Sequence, residues 1–353
     1  MDKINFLSSF KQYNSNYWPQ IKISKKEKLP NNAKNNLKNN FLTSPFISKN
    51  MAEKLQKIIQ KSSVKKYTYK LKLQQGDVFF HFCSNKPSTF IHKLAKYYFF
   101  IIFLRLMYNN KYDSLKFTEN VYINIIPVPI SKTLSNPMTI DDINSASTLV
   151  YPDYYGGPIF IWRLDEIEKV LIHETLHSLH YDADIIKMAL IPELQSYEQK
   201  IQMLNINEAY TELCATFIYN IFTKNIKKHL EKELKHSLKN CGRLLQIYGI
   251  TEFNDLFLEN YYQEASAFSY IILRTGLMWL MLDKCKNKNG RNGGLKCLED
   301  FLSIGFWGNI GESYQTIILS IMKNAEFAKK IRKNIEEEKK GRPAKIDTGF
   351  IIF

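Results

Sequence analysis

The chain has 353 residues, 45% of them hydrophobic and 14% aromatic, so it is long and apolar enough to bury a large core. Its five cysteines include no CxxC pair, which argues against a small disulfide-bonded scaffold and predicts a reducing compartment. The formal net charge of +15 is uneven, because residues 1–70 contain 15 lysines and three acidic residues and therefore carry +12 of it.

Residues 1–50 are rich in Asn and Lys and contain three prolines, so we expect a basic, mostly irregular tail. The lysines of residues 1–70 could bind nucleic acid, but this segment has no arginine to grip phosphate in a bidentate manner or to stack on bases. The same bias arises from an AT-rich genome, such as that of a large DNA virus. The sequence therefore favours a solvated tail over a nucleic-acid arm.

The next segment mixes helical and strand patterns. We expect, in chain order, a helix (51–61), a β-hairpin (67–73 and 78–83), a helix (88–108) and three strands (121–130, 147–151 and 158–163). The most apolar stretch, residues 97–107, is shorter than the roughly 20 residues that span a bilayer and contains Arg105. It predicts a buried helix and no transmembrane segment. The N-terminal sequence lacks an apolar signal core, which predicts an intracellular protein, in the cytoplasm or, for a virus, in the virion or host cytoplasm.

Helical patterns dominate the remainder of the chain. Residues 164–181 predict one helix, with Asp165 as its N-cap and Glu168 in the register of a capping box. Further helices are expected at 191–203, 206–223, 225–247, 259–284, 293–303 and 312–338. The pattern predicts an α+β fold, in which a small sheet lobe (51–181) ends in the 164–181 helix, a helical lobe (182–340) follows, and a short tail (341–353) comes last.

His173, Glu174 and His177 form an HExxH motif within the 164–181 helix. Residues four apart in a helix lie about 40° apart around its axis and roughly 6 Å apart along it. Two imidazoles at that spacing can bind one metal ion, at Zn–N distances of about 2.0–2.1 Å. Glu174 lies beside that site, where it can take a proton from a zinc-bound water and pass it to a leaving amine. The motif therefore predicts zinc ligands at His173 and His177 and a catalytic base at Glu174.

A pair of surface histidines on an amphipathic helix is the competing interpretation of this motif. Val170, Leu171, Ile172 and Leu176 place apolar groups on several faces of the helix, which predicts that it is buried. Buried ionisable side chains need partners, and a metal ion provides them.

A second motif, Asn207-Glu208-Ala209-Tyr210-Thr211-Glu212, follows about thirty residues later. Together, HExxH and NExxTE resemble the gluzincin metallopeptidases, the thermolysin-like clan, over about residues 140–223. The resemblance implies that Glu208 is the third zinc ligand. It also implies that Glu212, which stands where the clan usually has Asp, orients His173 from outside the coordination shell. An edge strand that pairs with an extended substrate is expected upstream, at residues 158–163 or 144–151.

Two local alternatives concern neighbours of these residues. His180 shares a helical face with His173 and His177, but it would lie about 10.5 Å from His173 along a continuous helix axis, too far to bind the same ion. Glu208 would serve a capping box rather than a metal if Asn205 caps its helix.

The leading hypothesis is a zinc-dependent metallopeptidase that acts on a peptide or protein substrate. The main alternative belongs to another class: a catalytically inactive, zinc-stabilised protein that binds nucleic acid or another anionic partner through its basic N-terminal arm. A zinc hydrolase of a non-peptide amide is a third hypothesis. The sequence identifies no His or Tyr that would stabilise the transition state.

Overall fold

The computed structural model describes most of the chain between residues 6 and 340. The described residues are 6–17, 27–28, 46–61, 66–72, 77–83, 90–107, 116–118, 120–128, 132, 134–151, 153–187, 189–223, 225–258, 260–285 and 310–340. They form a mixed β-sheet in the N-terminal part and a mainly helical C-terminal part, which confirms the predicted α+β class. The helix expected at 293–303 and the tail at 341–353 lie outside the described residues.

The strands are short and most belong to one sheet. Their bounds are β1 (Glu27–Lys28), β2 (Lys66–Lys72), β3 (Asp77–Cys83), β4 (Lys116–Phe117), β5 (Asn120–Val128), β6 (Ala146–Thr148), β7 (Tyr154–Tyr155) and β8 (Ile159–Arg163). Six of them form a sheet in the order β1-β2-β3-β5-β8-β6, and β4 pairs with β7 separately. The predicted hairpin is the antiparallel pair β2–β3, in which Tyr67 lies opposite Phe82.

Strand β8 is an interior strand, whereas β6 lies at the edge of the sheet. β8 pairs with β5 in parallel and with β6 antiparallel, so that Ile161 lies between Ile125 and Ala146. All five residues of β8 are buried. This burial explains its nearly continuous apolar sequence, which is typical of a strand covered on both faces.

The described helices are α1 (Phe6–Gln12), α2 (Lys49–Gln60), α3 (Phe90–Met107), α4 (Ile140–Ile143), α5 (Ile167–Ser178), α6 (Ala183–Ile186), α7 (Pro192–Lys200), α8 (Ile206–Ile221), α9 (Ile226–Ile247), α10 (Arg274–Cys285), α11 (Ile310–Met322) and α12 (Ala325–Lys340). Each predicted helical segment within the described residues contains helix, whereas α1, α4 and α6 lie where none was predicted. A π-helical segment, Ser269–Leu273, leads directly into α10. In the part of the chain that the structure describes, no helix has the length and apolar character needed to cross a membrane.

Helices cover both faces of the sheet. α2 packs on one face, where Leu55 joins Ile126 and Trp162 in a buried cluster. On the opposite face, Tyr98 of α3 meets Phe80 edge-on, with ring centroids 6.1 Å apart. Successive side chains of a strand point to opposite faces, so each strand contributes to both layers of the core.

Part of the segment for which the sequence predicts irregular structure is helical. α1 continues into a π-helical segment, Tyr13–Tyr17. Tyr13 is buried: its hydroxyl donates to the carbonyl oxygen of Lys96 at 2.9 Å, and its ring centroid lies 5.3 Å from that of Phe100. The prediction was wrong for this short aromatic segment, because it rested on the average composition of fifty residues and did not consider packing against α3.

The chain forms two compact units. One comprises the described parts of Phe6–Ser131 and Asn144–Tyr181, and it contains the sheet and α5. The other comprises the described parts of Lys132–Ile143 and Asp182–Phe353, and it contains α8 and α10.

The described cysteines are of two kinds. Cys83, Cys214 and Cys241 are buried free thiols, and burial raises the pKa of Cys241 to about 12, so this thiol is unreactive at neutral pH. Cys285 is disulfide-bonded, which the sequence did not predict.

Candidate metal centre

Helix α5 is buried on nearly all sides and packs against α3, β6 and β8. Its N-cap is Glu166, which makes no side-chain capping bond, so the predicted cap at Asp165 is wrong. Glu168 accepts a hydrogen bond from the Tyr97 hydroxyl at 3.1 Å and pairs with Lys93 at 2.7 Å. Tyr97 and Lys93 both belong to α3. The carboxylate of Glu168 therefore joins two helices, whereas the sequence predicted that it would cap its own helix.

His173 and His177 face each other one turn apart on α5. Their Nε2 atoms are 3.0 Å apart, and their side chains are only 6% and 8% exposed. Zn–N bonds of about 2.0–2.1 Å allow two nitrogens at this separation to share one ion. The two histidines are therefore not a surface pair, and their donor nitrogens already point at a common region.

His180 lies in the C-terminal capping motif of α5. Leu179 is the C-cap, and the amides of His180 and Tyr181 donate to the carbonyl oxygens of His177 and Leu176, the two bonds of a Schellman motif. His180 has the positive φ (57°) that this motif requires and that usually favours glycine. Its Nε2 lies 3.1 Å from the carbonyl oxygen of Tyr154. The helix thus ends at Ser178, earlier than predicted. The side chain of His180 contacts the backbone of Tyr154 and is not one of the candidate metal ligands.

Helix α8 begins after Asn205, but the capping-box alternative for Glu208 fails. The side chain of Asn205 makes no capping bond; it donates to the Ser266 hydroxyl at 2.8 Å. Glu208 accepts a hydrogen bond at Oε2 from the hydroxyl of Tyr270, at 2.9 Å. Its carboxylate is therefore engaged by a tertiary contact rather than by the first turn of its own helix.

Sequence reasoning missed Tyr270 altogether. This residue belongs to the π-helical segment Ser269–Leu273 and lies 62 positions after Glu208. No motif links the two, and the pattern at 259–284 predicted only an ordinary apolar helix. Only the fold of the helical unit brings the phenol to the carboxylate.

His173, His177 and Glu208 form a group that could hold a metal ion. One ligand atom from each lies within 4.8 Å of the other two, the histidines are buried, and Glu208 is half-buried. Two imidazole nitrogens and one carboxylate oxygen match the donor set of catalytic zinc sites that leave a fourth position for water or substrate. Within the described ranges, no other set of three His, Cys, Asp or Glu residues meets these criteria.

Glu174 and Glu212 lie next to this group in sequence. Glu174 is 8% exposed, and because it follows His173 its side chain leaves the helix about 100° further round the axis. Glu212 is half-buried one turn after Glu208 on α8. Neither is among the three candidate ligands. The catalytic role of Glu174 and the orienting role of Glu212 stay predictions.

Comparisons with known proteins give no family for this chain. No protein-family model, no curated protein and no solved structure matches it. The residues of this site and their geometry are therefore the basis on which a function can be assigned.

Proposed function

We propose that this protein is a zinc-dependent metallopeptidase that hydrolyses a peptide or protein substrate inside the cell. The observation that carries the proposal is the group of His173, His177 and Glu208, whose ligand atoms lie within 4.8 Å of one another. The same donors also suit iron, which occurs in sites with two histidines and one carboxylate. Zinc is favoured because Glu174, a buried carboxylate adjacent to His173, provides the base that metal-assisted hydrolysis needs.

Each residue has a distinct part in this chemistry. A bound Zn²⁺ supplies Lewis acidity, which acidifies a water molecule and polarises the scissile carbonyl group. Glu174 accepts the proton of the attacking water and delivers it to the leaving amine nitrogen. Glu212 accepts a hydrogen bond from His173 and so fixes the tautomer that leaves the other ring nitrogen free to bind metal.

The edge strand β6 is the segment along which we expect the substrate to bind. Of the two strands that the sequence suggested, β8 is enclosed between β5 and β6, so its backbone is already paired on both sides. β6 pairs with β8 on one side only, among the described residues, and packs against α5. An extended peptide can add to such an edge through backbone hydrogen bonds.

Metal analysis of the wild-type protein and of two variants, His177→Ala and His180→Ala, tests whether the candidate group binds zinc. The wild-type protein should contain about one zinc per chain, and His177→Ala should lose it, because the open site depends on all three protein ligands. His180→Ala is the matched control: it removes a buried imidazole three residues further on, which lies outside the candidate group. It should keep its zinc. Stoichiometric iron, or no bound metal even after zinc is added, would contradict the proposal.

Cleavage of a mixed peptide library, with and without a chelator, then separates the functional classes. A peptidase should cleave the library only in the absence of chelator, and activity should return when zinc is restored. Bound zinc without turnover would favour the inactive, zinc-stabilised binding protein. Salt-sensitive retention on nucleic acid through residues 1–70 would add to that case, because phosphate contacts release counterions.

A further inference from the structure

Tyr270 contacts the one carboxylate of the candidate metal group. Its hydroxyl donates to Oε2 of Glu208 at 2.9 Å, and both residues lie in the helical unit. A glutamate side chain has three rotatable bonds, so a half-buried carboxylate can adopt several orientations. A hydrogen bond from a phenol selects one of them, and bonds to a charged acceptor are stronger than bonds between neutral groups.

The backbone of Tyr270 is itself held in place. Its carbonyl oxygen accepts a hydrogen bond from Nε of Arg274 at 3.3 Å. Arg274 forms a buried ion pair with Glu233 of α9, with Nη1 and Oε1 3.0 Å apart. This ion pair anchors the π-helical segment that carries Tyr270, and such segments in α-helices occur frequently at functional sites.

We infer that Tyr270 is a positioning residue for the metal centre, and this inference rests on the proposed function of Glu208 as a ligand. The hydroxyl occupies one lone pair of Oε2 and holds the carboxylate in a single orientation before metal arrives. The cost of ordering Glu208 is then met during folding rather than during binding. Loss of such a partner of a ligand typically weakens metal affinity by about 10- to 100-fold.

A zinc titration of chelator-treated protein, read with a competing metal indicator, tests this inference. Tyr270→Phe should bind zinc about 10- to 100-fold more weakly than wild type. Tyr314→Phe is the control, because it removes a different tyrosine hydroxyl that bonds to α8. That hydroxyl donates to the backbone carbonyl of Ile206 at 2.8 Å and not to a candidate ligand. Tyr314→Phe should keep wild-type zinc affinity even though it leaves a buried carbonyl oxygen without this donor and lowers thermal stability.

Cobalt(II) provides a readout that a purely structural role would not change. Its visible absorption depends on ligand geometry, so the spectrum of the cobalt-loaded Tyr270→Phe protein should differ from wild type, and that of Tyr314→Phe should not. If wild type binds zinc and Tyr270→Phe binds it equally well with the same cobalt spectrum, the positioning role is wrong while the proposed function stands. If wild type binds no metal, the proposed function fails and this inference fails with it. Circular dichroism establishes that each variant is folded before titration.

Discussion

Glu174 is the residue whose proposed role depends most on chemistry and least on geometry. It is buried in the middle of α5, directly after His173. Burial of a carboxylate costs free energy, which favourable contacts with neighbouring groups offset. Proton transfer between an attacking water and a leaving amine is a function that requires a carboxylate at this position.

Glu174→Gln should keep zinc and fold but lose most of the turnover. The amide has nearly the same shape as the carboxyl group but cannot accept the proton, so we expect a fall in kcat of about 10²- to 10⁴-fold. Peptide cleavage by the zinc-loaded variant measures this effect. Glu168→Gln is the control on the same helix, because Glu168 pairs with Lys93 and lies outside the candidate group. Full activity in Glu174→Gln would place the catalytic base elsewhere.

The sequence predicted the histidine pair because both members lie within one turn of one helix. Spacing within a helix is fixed by its geometry, and apolar neighbours such as Leu171 and Leu176 predicted burial correctly. Contacts between segments distant in sequence could not be predicted from helical spacing. The bond from Tyr270 to Glu208 and the bond from His180 to Tyr154 both depend on where other elements pack.

At the scale of elements, the position of β6 in the sheet determines what it can bind. Leu149 N donates to Pro158 O, and Trp162 N donates to Ser145 O, so the odd-numbered residues of this segment bond to β8. Backbone groups alternate in direction along a strand, and those of Ala146 and Thr148 therefore point away from β8. The sequence predicted a strand here, but only the sheet order identified it as the edge.

Thr148→Pro should weaken substrate binding if a peptide adds to β6. Proline removes an amide that points away from β8, and edge strands tolerate proline at such a position. Loss of one backbone hydrogen bond predicts a fall in kcat/KM of about 2- to 10-fold. Thr148→Val is the control, since it keeps the amide but also removes the hydroxyl that donates to Pro158 O at 3.0 Å. Equal kcat/KM for the two folded variants would argue against β6 as the substrate strand.

The boundary between α11 and α12 has a local cause that the sequence prediction did not use. The periodic pattern of 312–338 predicted one helix, but the structure has two, α11 and α12, which end and begin around Lys323 and Asn324. The side chain of Asn324 accepts from the amide of Phe327 at 2.9 Å and so caps α12. Asn is a frequent N-cap residue, so the sequence contained a signal for this break. The prediction missed it because the apolar periodicity continues across the break.

For the whole molecule, the excess positive charge and the candidate metal ligands lie in different parts of the sequence. The positive charge is concentrated in residues 1–70, whereas His173, His177 and Glu208 lie well beyond that segment in sequence. Salt should therefore affect contacts of the basic segment with anionic partners, because exposed charges are screened. Interactions of the candidate ligands His173, His177 and Glu208, of which the histidines are buried, should be screened much less. Salt and chelator thus act on different properties of the same chain.

Zinc removal should lower the thermal stability of the protein. A ligand that binds only the native state adds RT ln(1 + [L]/Kd), which is about 2.7 kcal/mol when free zinc is 100-fold above Kd. For a domain of about 150–250 residues, each kcal/mol shifts Tm by about 2–4 °C, so a decrease of several degrees is expected. Scanning calorimetry of wild type in zinc and in chelator, at constant ionic strength, measures the difference. His177→Ala should unfold at the same temperature in both buffers, because it lacks one of the three candidate ligands. A wild-type Tm that does not respond to chelator would show that no metal stabilises the folded chain.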